Sequence, residues 1–327
     1  MADNYLNIRG SMVALITPMF PDGAIDWLTF RELINWHIEA GTDALVIAGS
    51  TGETPTLALE DHIELIRVAV NIATDRIPII GGTGANSTSE AIELTYAARD
   101  AGVDACLSVV PYYNRPTQMG IYEHFRAVAE CCELPMIVYD VPSRTNARMS
   151  VDTIVSLAQL DSVIGLKDAT GDIARVIELL HKVPLSFSLY SGDDATAAAF
   201  ILMGGHGNIS VTANILPHLM HELCTLALRG EVALVRLLSQ RLASLNQALF
   251  IESNPIPIKW AMVRMGMIHE GLRLPLTQLS PEYVKVVESA MIEAGIPLSN
   301  NSVGLKSGSR PYGVQLRELS LDSRLTR

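Results

Sequence analysis

Residues 105–139 read ACLSVV (105–110), PYYNRP (111–116), TQMGIYEHFRAVAECC (117–132), ELP (133–135) and MIVY (136–139). The first and last blocks are short apolar runs of strand length, and the 117–132 block is helix-length and amphipathic. A strand, a polar loop, a helix and a second strand make a βαβ unit, which requires a parallel sheet.

The alternation continues in both directions. Upstream, Met12–Ile16 reads as a strand before a helix at Asp26–Gly41, which ends on a glycine. Ala44–Ala48 precedes Glu60–Ala73, and Ile77–Ile80 precedes Ser87–Ala101. Downstream, Met136–Tyr139 precedes Val151–Leu160, Val163–Leu166 precedes Asp172–His181, and Ser186–Tyr190 precedes Ala195–Met203. Gly207–Ser210 closes the series. Eight β units, seven of them promptly followed by a helix, predict a closed (β/α)8 TIM barrel. A doubly wound open sheet is the alternative. After Ser210 the pattern turns helical, at Leu216–Arg229, Glu231–Phe250, Ile256–Met267 and Pro281–Ala294. This predicts a barrel over 1–229 and a small C-terminal helical region over 230–298. Residues 299–327 carry five basic and two acidic residues, a charge of +3, which leaves −14 on residues 1–298. They read as a flexible tail or an appended extension.

Composition narrows the function. The 327 residues are 49% hydrophobic and carry a net charge of −11 with no basic run, which argues against nucleic acid as a partner. The longest apolar stretch, near Ala195–Met203, is far short of the roughly 20 residues of a membrane helix, and the N-terminus has no signal-peptide pattern. Cys106, Cys131, Cys132 and Cys224 form no CxxC pair, and the eight histidines show no ligand spacing, so no metal is expected. The reading is a cytoplasmic protein.

In a barrel of this kind the site lies at the C-terminal ends of the strands. Of five lysines only Lys167 ends a strand, in Val163-Ile164-Gly165-Leu166-Lys167-Asp168. A lysine there points into the barrel mouth, where desolvation frees its amine as a nucleophile for a keto acid. The competing reading is a solvated lysine paired with Asp168. Tyr139 ends the preceding strand and is placed to shuttle protons, or else simply caps the core. Ser50 and Thr51, between Gly49 and Gly52, can present backbone amides to a carboxylate, or make an ordinary turn. Arg144 can grip a carboxylate in a bidentate way, or lie on the surface. Gly82-Thr83-Gly84-Ala85-Asn86-Ser87 lacks the last glycine of a dinucleotide fingerprint, which makes a nucleotide-binding oxidoreductase a weak option.

Gly49-Ser50-Thr51-Gly52-Glu53, Tyr139-x-Val-Pro and Lys167 together resemble the pyruvate-dependent class I aldolase and lyase superfamily. Within it, five further stretches resemble the dihydrodipicolinate synthase family. They are Pro111-Tyr112-Tyr113-Asn114-Arg115-Pro116, Val141-Pro142-Ser143-Arg144-Thr145, Ser191-Gly192-Asp193-Asp194, Gly204-Gly205-His206-Gly207 and Asn254-Pro255-Ile256-Pro257-Ile258-Lys259-Trp260. The resemblance spans about residues 9–297. It implies condensation of pyruvate with L-aspartate 4-semialdehyde in lysine and diaminopimelate biosynthesis, by a homotetramer with no cofactor beyond a covalent imine on Lys167. It also implies that Tyr139 transfers protons, with Ser50 and Tyr113 completing a hydroxyl relay and Tyr113 reaching into a neighbouring subunit. Thr51 would hold the pyruvate carboxylate, Ile209 would contact pyruvate, and Arg144 would bind the semialdehyde carboxylate. His62, Asn86, Glu90 and Tyr112 resemble a lysine-feedback site, but Leu59 and Pro55 depart from feedback-inhibited relatives, so weak or absent inhibition is expected. Two departures bear on specificity. Ser50 stands where the family usually has threonine, and Asp140 stands where Asn is frequent, which adds a charge expected to disfavour an anionic second substrate. The rivals are a sister aldolase, acting on a 2-keto-3-deoxy sugar acid, N-acetylneuraminate or 4-hydroxy-2-oxoglutarate, and a catalytically silent ligand-binding barrel.

Overall fold

The computed structural model describes residues 8–298. The 299–327 segment therefore lies outside the described residues. Eight parallel strands, β1 (Gly10–Ala14), β2 (Ala44–Ile47), β3 (Ile79–Gly82), β4 (Ala105–Val109), β5 (Met136–Asp140), β6 (Val163–Asp168), β7 (Ser188–Ser191) and β8 (Gly207–Ser210), pair in sequence order. β8 returns to β1 through Gly10↔Gly207 and Met12↔Ile209. Closure excludes the open-sheet alternative and makes the fold a (β/α)8 TIM barrel.

The helices are α1 (Trp27–Glu39), α2 (Leu59–Ala73), α3 (Thr88–Ala101), α4 (Gln118–Cys131), α5 (Pro142–Thr145), α6 (Val151–Leu157), α7 (Ile173–Lys182), α8 (Ala197–Leu202), α9 (Pro217–Leu228), α10 (Val232–Ala248), α11 (Ile256–Arg264) and α12 (Pro281–Glu293). Several starts are set by capping. Asp26, Thr117, Ser150 and Asp172 each accept the backbone N–H three residues on, which satisfies a donor the first turn leaves unpaired. Two strand expectations were off by two residues: β1 runs 10–14 rather than 12–16, and β3 runs 79–82 rather than 77–80. Glycines lie at the pairing edges there, so apolarity alone mislocates both strands. The four-residue α5 carries Arg144 and was not foreseen.

The barrel wall is buried on both faces, which is why its strands read as continuous apolar runs. Met12, Ala14, Val46, Leu107, Ile137, Tyr139, Tyr190 and Ile209 fill the interior. Val13, Leu45, Cys106, Val138, Leu166 and Leu189 face the helix layer. One irregularity positions the site. Between β5 and β6 the register steps from Met136↔Val163 to Ile137↔Gly165, an extra residue in β6. Beyond this bulge Tyr139 is opposite Lys167, and Asp140 is opposite Asp168.

Candidate active site

A cavity of about 1190 Å³ opens at the C-terminal ends of the strands. It gathers Ser50, Thr51, Tyr139, Arg144 and Lys167, which lie up to 117 positions apart in sequence.

Lys167 is 6% exposed. Its Nζ stands 4.3 Å from the centre of the Tyr139 ring. Burial brings its ammonium down to about 7, with Asp194 opposing the shift and Arg144 adding to it. A lysine that is substantially unprotonated near neutrality is a competent nucleophile. Burial also pushes the Tyr139 phenol up to about 12, so it is a protonated donor at neutral pH. The pairing of Lys167 with Asp168 does not form. Asp168 faces the helix layer, where its Oδ1 accepts from the Thr170 amide and hydroxyl at 2.8 and 2.5 Å, and its Oδ2 stands 3.2 Å from Arg175 Nη1.

The loop after β2 is held from beneath. Ser50–Gly52 and Thr54–Thr56 form two short 3₁₀ turns, with Ala48 and Glu53 in left-handed conformation around them. Glu53 is 1% exposed and pairs with the buried Lys259, Nζ to Oε1 at 2.5 Å. Lys259 also donates to the Thr17 carbonyl at 3.0 Å, and the Arg273 amide donates to Glu53 Oε2 at 3.1 Å. Thr54 Oγ1 donates to the carbonyls of Ala48 and Gly49. The amides of Ser50 and Thr51 open the first turn, where no upstream carbonyl within the turn can take them.

Asn254 links two binding elements. Its Nδ2 donates to Thr51 Oγ1 at 2.9 Å, and its carbonyl accepts from Arg144 Nη2 at 2.7 Å. Reading the sequence did not single out Asn254, Glu53 or Lys259 as site-building residues, although all three fall inside the quoted motifs.

Other expected residues are placed differently. Tyr113 is 89% exposed, has φ +71°, and does not line the cavity. Ile209 is 1% exposed in the barrel interior and does not line the cavity either. His62, Glu90 and Tyr112 line an outer arm of the same cavity together with Leu59 and Pro55. Asn86 does not line the cavity; its carbonyl accepts from Asn114 Nδ2 at 2.8 Å. His62 Nε2 is 2.7 Å from the Gly82 carbonyl, and burial lowers its pKa.

The expectation for Asp140 is corrected. Its carboxylate is fully buried on the outer face of β5, 2.7 Å from Arg175 Nη2. It projects no charge into the cavity because the strand alternation that turns Tyr139 inward turns Asp140 outward. Arg175 itself escaped the sequence reading, although its phase with Val176 and Leu179 on α7 places it on the buried face. Among the described residues no cluster of three or more His, Cys, Asp or Glu could hold a metal ion, and no helix is long and apolar enough to cross a membrane.

Comparison with known proteins agrees with this geometry. A 4-hydroxy-tetrahydrodipicolinate synthase of Nitrosomonas eutropha is 57% identical over 288 residues, covering 88% of this chain and 99% of the relative. The crystal structure of the chloride-inhibited dihydrodipicolinate synthase from Acinetobacter baumannii, complexed with pyruvate, superposes with a TM-score of 0.87. It is 50% identical and covers 89% of this chain and 100% of that one. A monomeric dihydrodipicolinate synthase variant superposes with a TM-score of 0.86 at 35% identity, covering 89% of this chain and 98% of that one. The sequence profile of the dihydrodipicolinate synthetase family matches residues 7–294. The chain, with its buried strand-end lysine at the mouth of an eight-stranded barrel, is thus an enzyme belonging to the dihydrodipicolinate synthetase family.

Proposed function

We propose that the protein condenses pyruvate with L-aspartate 4-semialdehyde to 4-hydroxy-tetrahydrodipicolinate, the step that commits carbon to diaminopimelate and lysine. The observation that carries this reading is Lys167, desolvated beside Tyr139 and Arg144 in one cavity.

The Lys167 amine adds to the pyruvate carbonyl, and loss of water leaves an imine. The imine is an electron sink, so the pyruvate methyl gives up a proton and becomes an enamine carbon nucleophile. That carbon bonds to the aldehyde, and the semialdehyde's own amine then displaces Lys167 from the imine carbon. Tyr139 donates and recovers the protons, relayed through Ser50 and through Tyr113 of a neighbouring copy. No cofactor or metal is needed. The Thr51 amide holds the pyruvate carboxylate, and Arg144, steadied by the Asn254 carbonyl, receives the semialdehyde carboxylate. A guanidinium here favours this substrate over a polyhydroxy sugar acid. Ile209 supports the pyruvate pocket from the barrel interior.

The exposure of Tyr113 supports an assembled enzyme, a homotetramer, because a relay hydroxyl standing in water serves no site in its own chain. The free thiols Cys106, Cys131, Cys132 and Cys224 support a reducing cytoplasmic setting. Pro55 and Leu59 lining the outer arm support weak or absent inhibition by lysine.

The test is turnover of pyruvate and L-aspartate 4-semialdehyde, coupled through dihydrodipicolinate reductase to NADPH loss, in wild type and Lys167→Ala. Turnover that vanishes in the variant is expected. No turnover by folded wild type would overturn the reading and favour the sister aldolase substrates.

A further inference from the structure

Behind the reacting pair lies a charged cluster that the chemistry does not use. Arg175 on α7 is 5% exposed. Its Nη2 donates to Asp140 Oδ2 at 2.7 Å and to the Met149 carbonyl at 3.0 Å. Its Nη1 stands 3.2 Å from Asp168 Oδ2, an ion contact without hydrogen-bond geometry. Asp140 and Asp168 are register partners, and they directly follow Tyr139 and Lys167, which are also register partners. Neighbouring strand residues face opposite sides. The inward pair is therefore backed by an outward pair of carboxylates, and one guanidinium spans both.

A planar guanidinium that donates to a carboxylate on β5 and stands in ion contact with one on β6 couples the two strand ends at two nitrogens, which a compact ammonium does not reproduce. The cluster is also unbalanced. Two carboxylates face one guanidinium, and burial raises the Asp140 pKa although Arg175 opposes the shift.

We propose that Arg175 is a positioning residue for imine formation. It ties the ends of β5 and β6 so that Tyr139 and Lys167 keep their relation, and it limits the negative charge standing behind the Lys167 amine. The proposal rests on the imine reading above. The other titratable groups facing Lys167 are Tyr139 on β5, Arg144 on α5, Tyr190 on β7, and Asp193 and Asp194 after β7. All of them stay unaltered in the test.

The test follows pyruvate adduct formation, trapped with borohydride and read by intact mass, across pH. It compares full-length wild type, Arg175→Gln, Arg175→Lys and Asp140→Asn/Arg175→Gln, each checked for folding by thermal melting. Arg175→Gln should trap pyruvate at least tenfold more slowly at saturation, with half-saturating pyruvate changed less than threefold. Its acid limb should move up by about half a pH unit, because an unopposed second carboxylate favours the ammonium. Asp140→Asn/Arg175→Gln should return the limb to its wild-type position yet remain slow. Arg175→Lys should keep the limb and be slow, since it retains the charge and loses the fork. A folded Arg175→Gln with wild-type rate and limb overturns the proposal. If Arg175→Gln does not fold, Arg175→Lys decides: a wild-type rate overturns it, and a slow rate with an unmoved limb supports it. Wild type that traps no pyruvate at all would instead overturn the imine reading.

Discussion

Gly192, in the turn after β7, is expected to be intolerant of even a methyl group, for reasons of reactivity as well as packing. A Cβ added there would stand 2.8 Å from Lys167 Cε, 2.9 Å from Ala169 Cβ and 3.2 Å from Lys167 Cγ. Unbonded carbons rest about 3.5–4.0 Å apart, so the lysine arm must move by roughly 1 Å. The far end of Lys167 can do so, because lysine has rotamers to spare, but Ala169 Cβ is fixed to the backbone. The stability cost of Gly192→Ala should therefore fall within the overpacking range, about 1–3 kcal/mol. The kinetic cost comes on top of it, since a misplacement of about 1 Å in a reacting group can cost ~10²-fold. Gly230 is the control. A Cβ there meets nothing within 4 Å, but φ is +74°, so Gly230→Ala strains only the backbone, at about 1–2 kcal/mol. Both variants should lower the melting temperature by a few degrees. Only Gly192→Ala should slow borohydride trapping of the pyruvate adduct, by about 100-fold. Wild-type trapping by Gly192→Ala, or equal slowing in both variants, would refute the claim that space beside Lys167 is reserved for its reactive arm.

Three further outcomes are expected. Imine formation should show an acid limb near pH 7, falling about tenfold per pH unit below it, because Lys167 titrates at about 7 and only its free amine reacts; a limb near 10 would mean the lysine is solvated. Lys259→Met should destabilise the fold by about 3–5 kcal/mol in denaturant titration, since it strands a buried carboxylate, and Glu53→Gln/Lys259→Met should recover much of that; an undisturbed Lys259→Met would deny the pair its role under the Ser50–Thr51 loop. The hydrogen bond to Asp43 raises the His221 pKa, so its stabilisation is full below pH 6.5 and fades as pH rises through the raised value; the pair is partly exposed, so the effect should stay below about 1 kcal/mol, and His221→Gln should flatten melting temperature between pH 6 and 8.

Much of the site is legible in the sequence. Lys167 stood out because it is the one lysine at the end of an apolar run, and Ser50–Thr51 because glycines flank them. The helices were legible from their length and amphipathic spacing, and the first also from its closing Gly41. What escaped was whatever depends on a partner distant in the chain. Lys259 is 206 positions from Glu53, and Asn254 is 203 from Thr51. Neither spacing carries a local signal, because a buried ion pair or an amide bridge is satisfied only once closure of the barrel brings the loops together.

The alternation of apolar runs with amphipathic segments by itself determined eight β units in a parallel α/β fold, since its period and polarity are local properties of the chain; closure into a barrel rather than an open sheet was decided by the pairing of β8 with β1. The same alternation placed Lys167 and Tyr139 at strand ends, hence at the barrel mouth. That the two face each other was decided by the tertiary structure. The extra residue in β6 shifts the register so that Lys167, rather than Leu166, lies across from Tyr139. Strand alternation then turned Asp140 and Asp168 outward onto Arg175, so Asp140, which sequence reading set beside the site, stands instead behind the wall that holds it, and Asp168 makes no pair with Lys167.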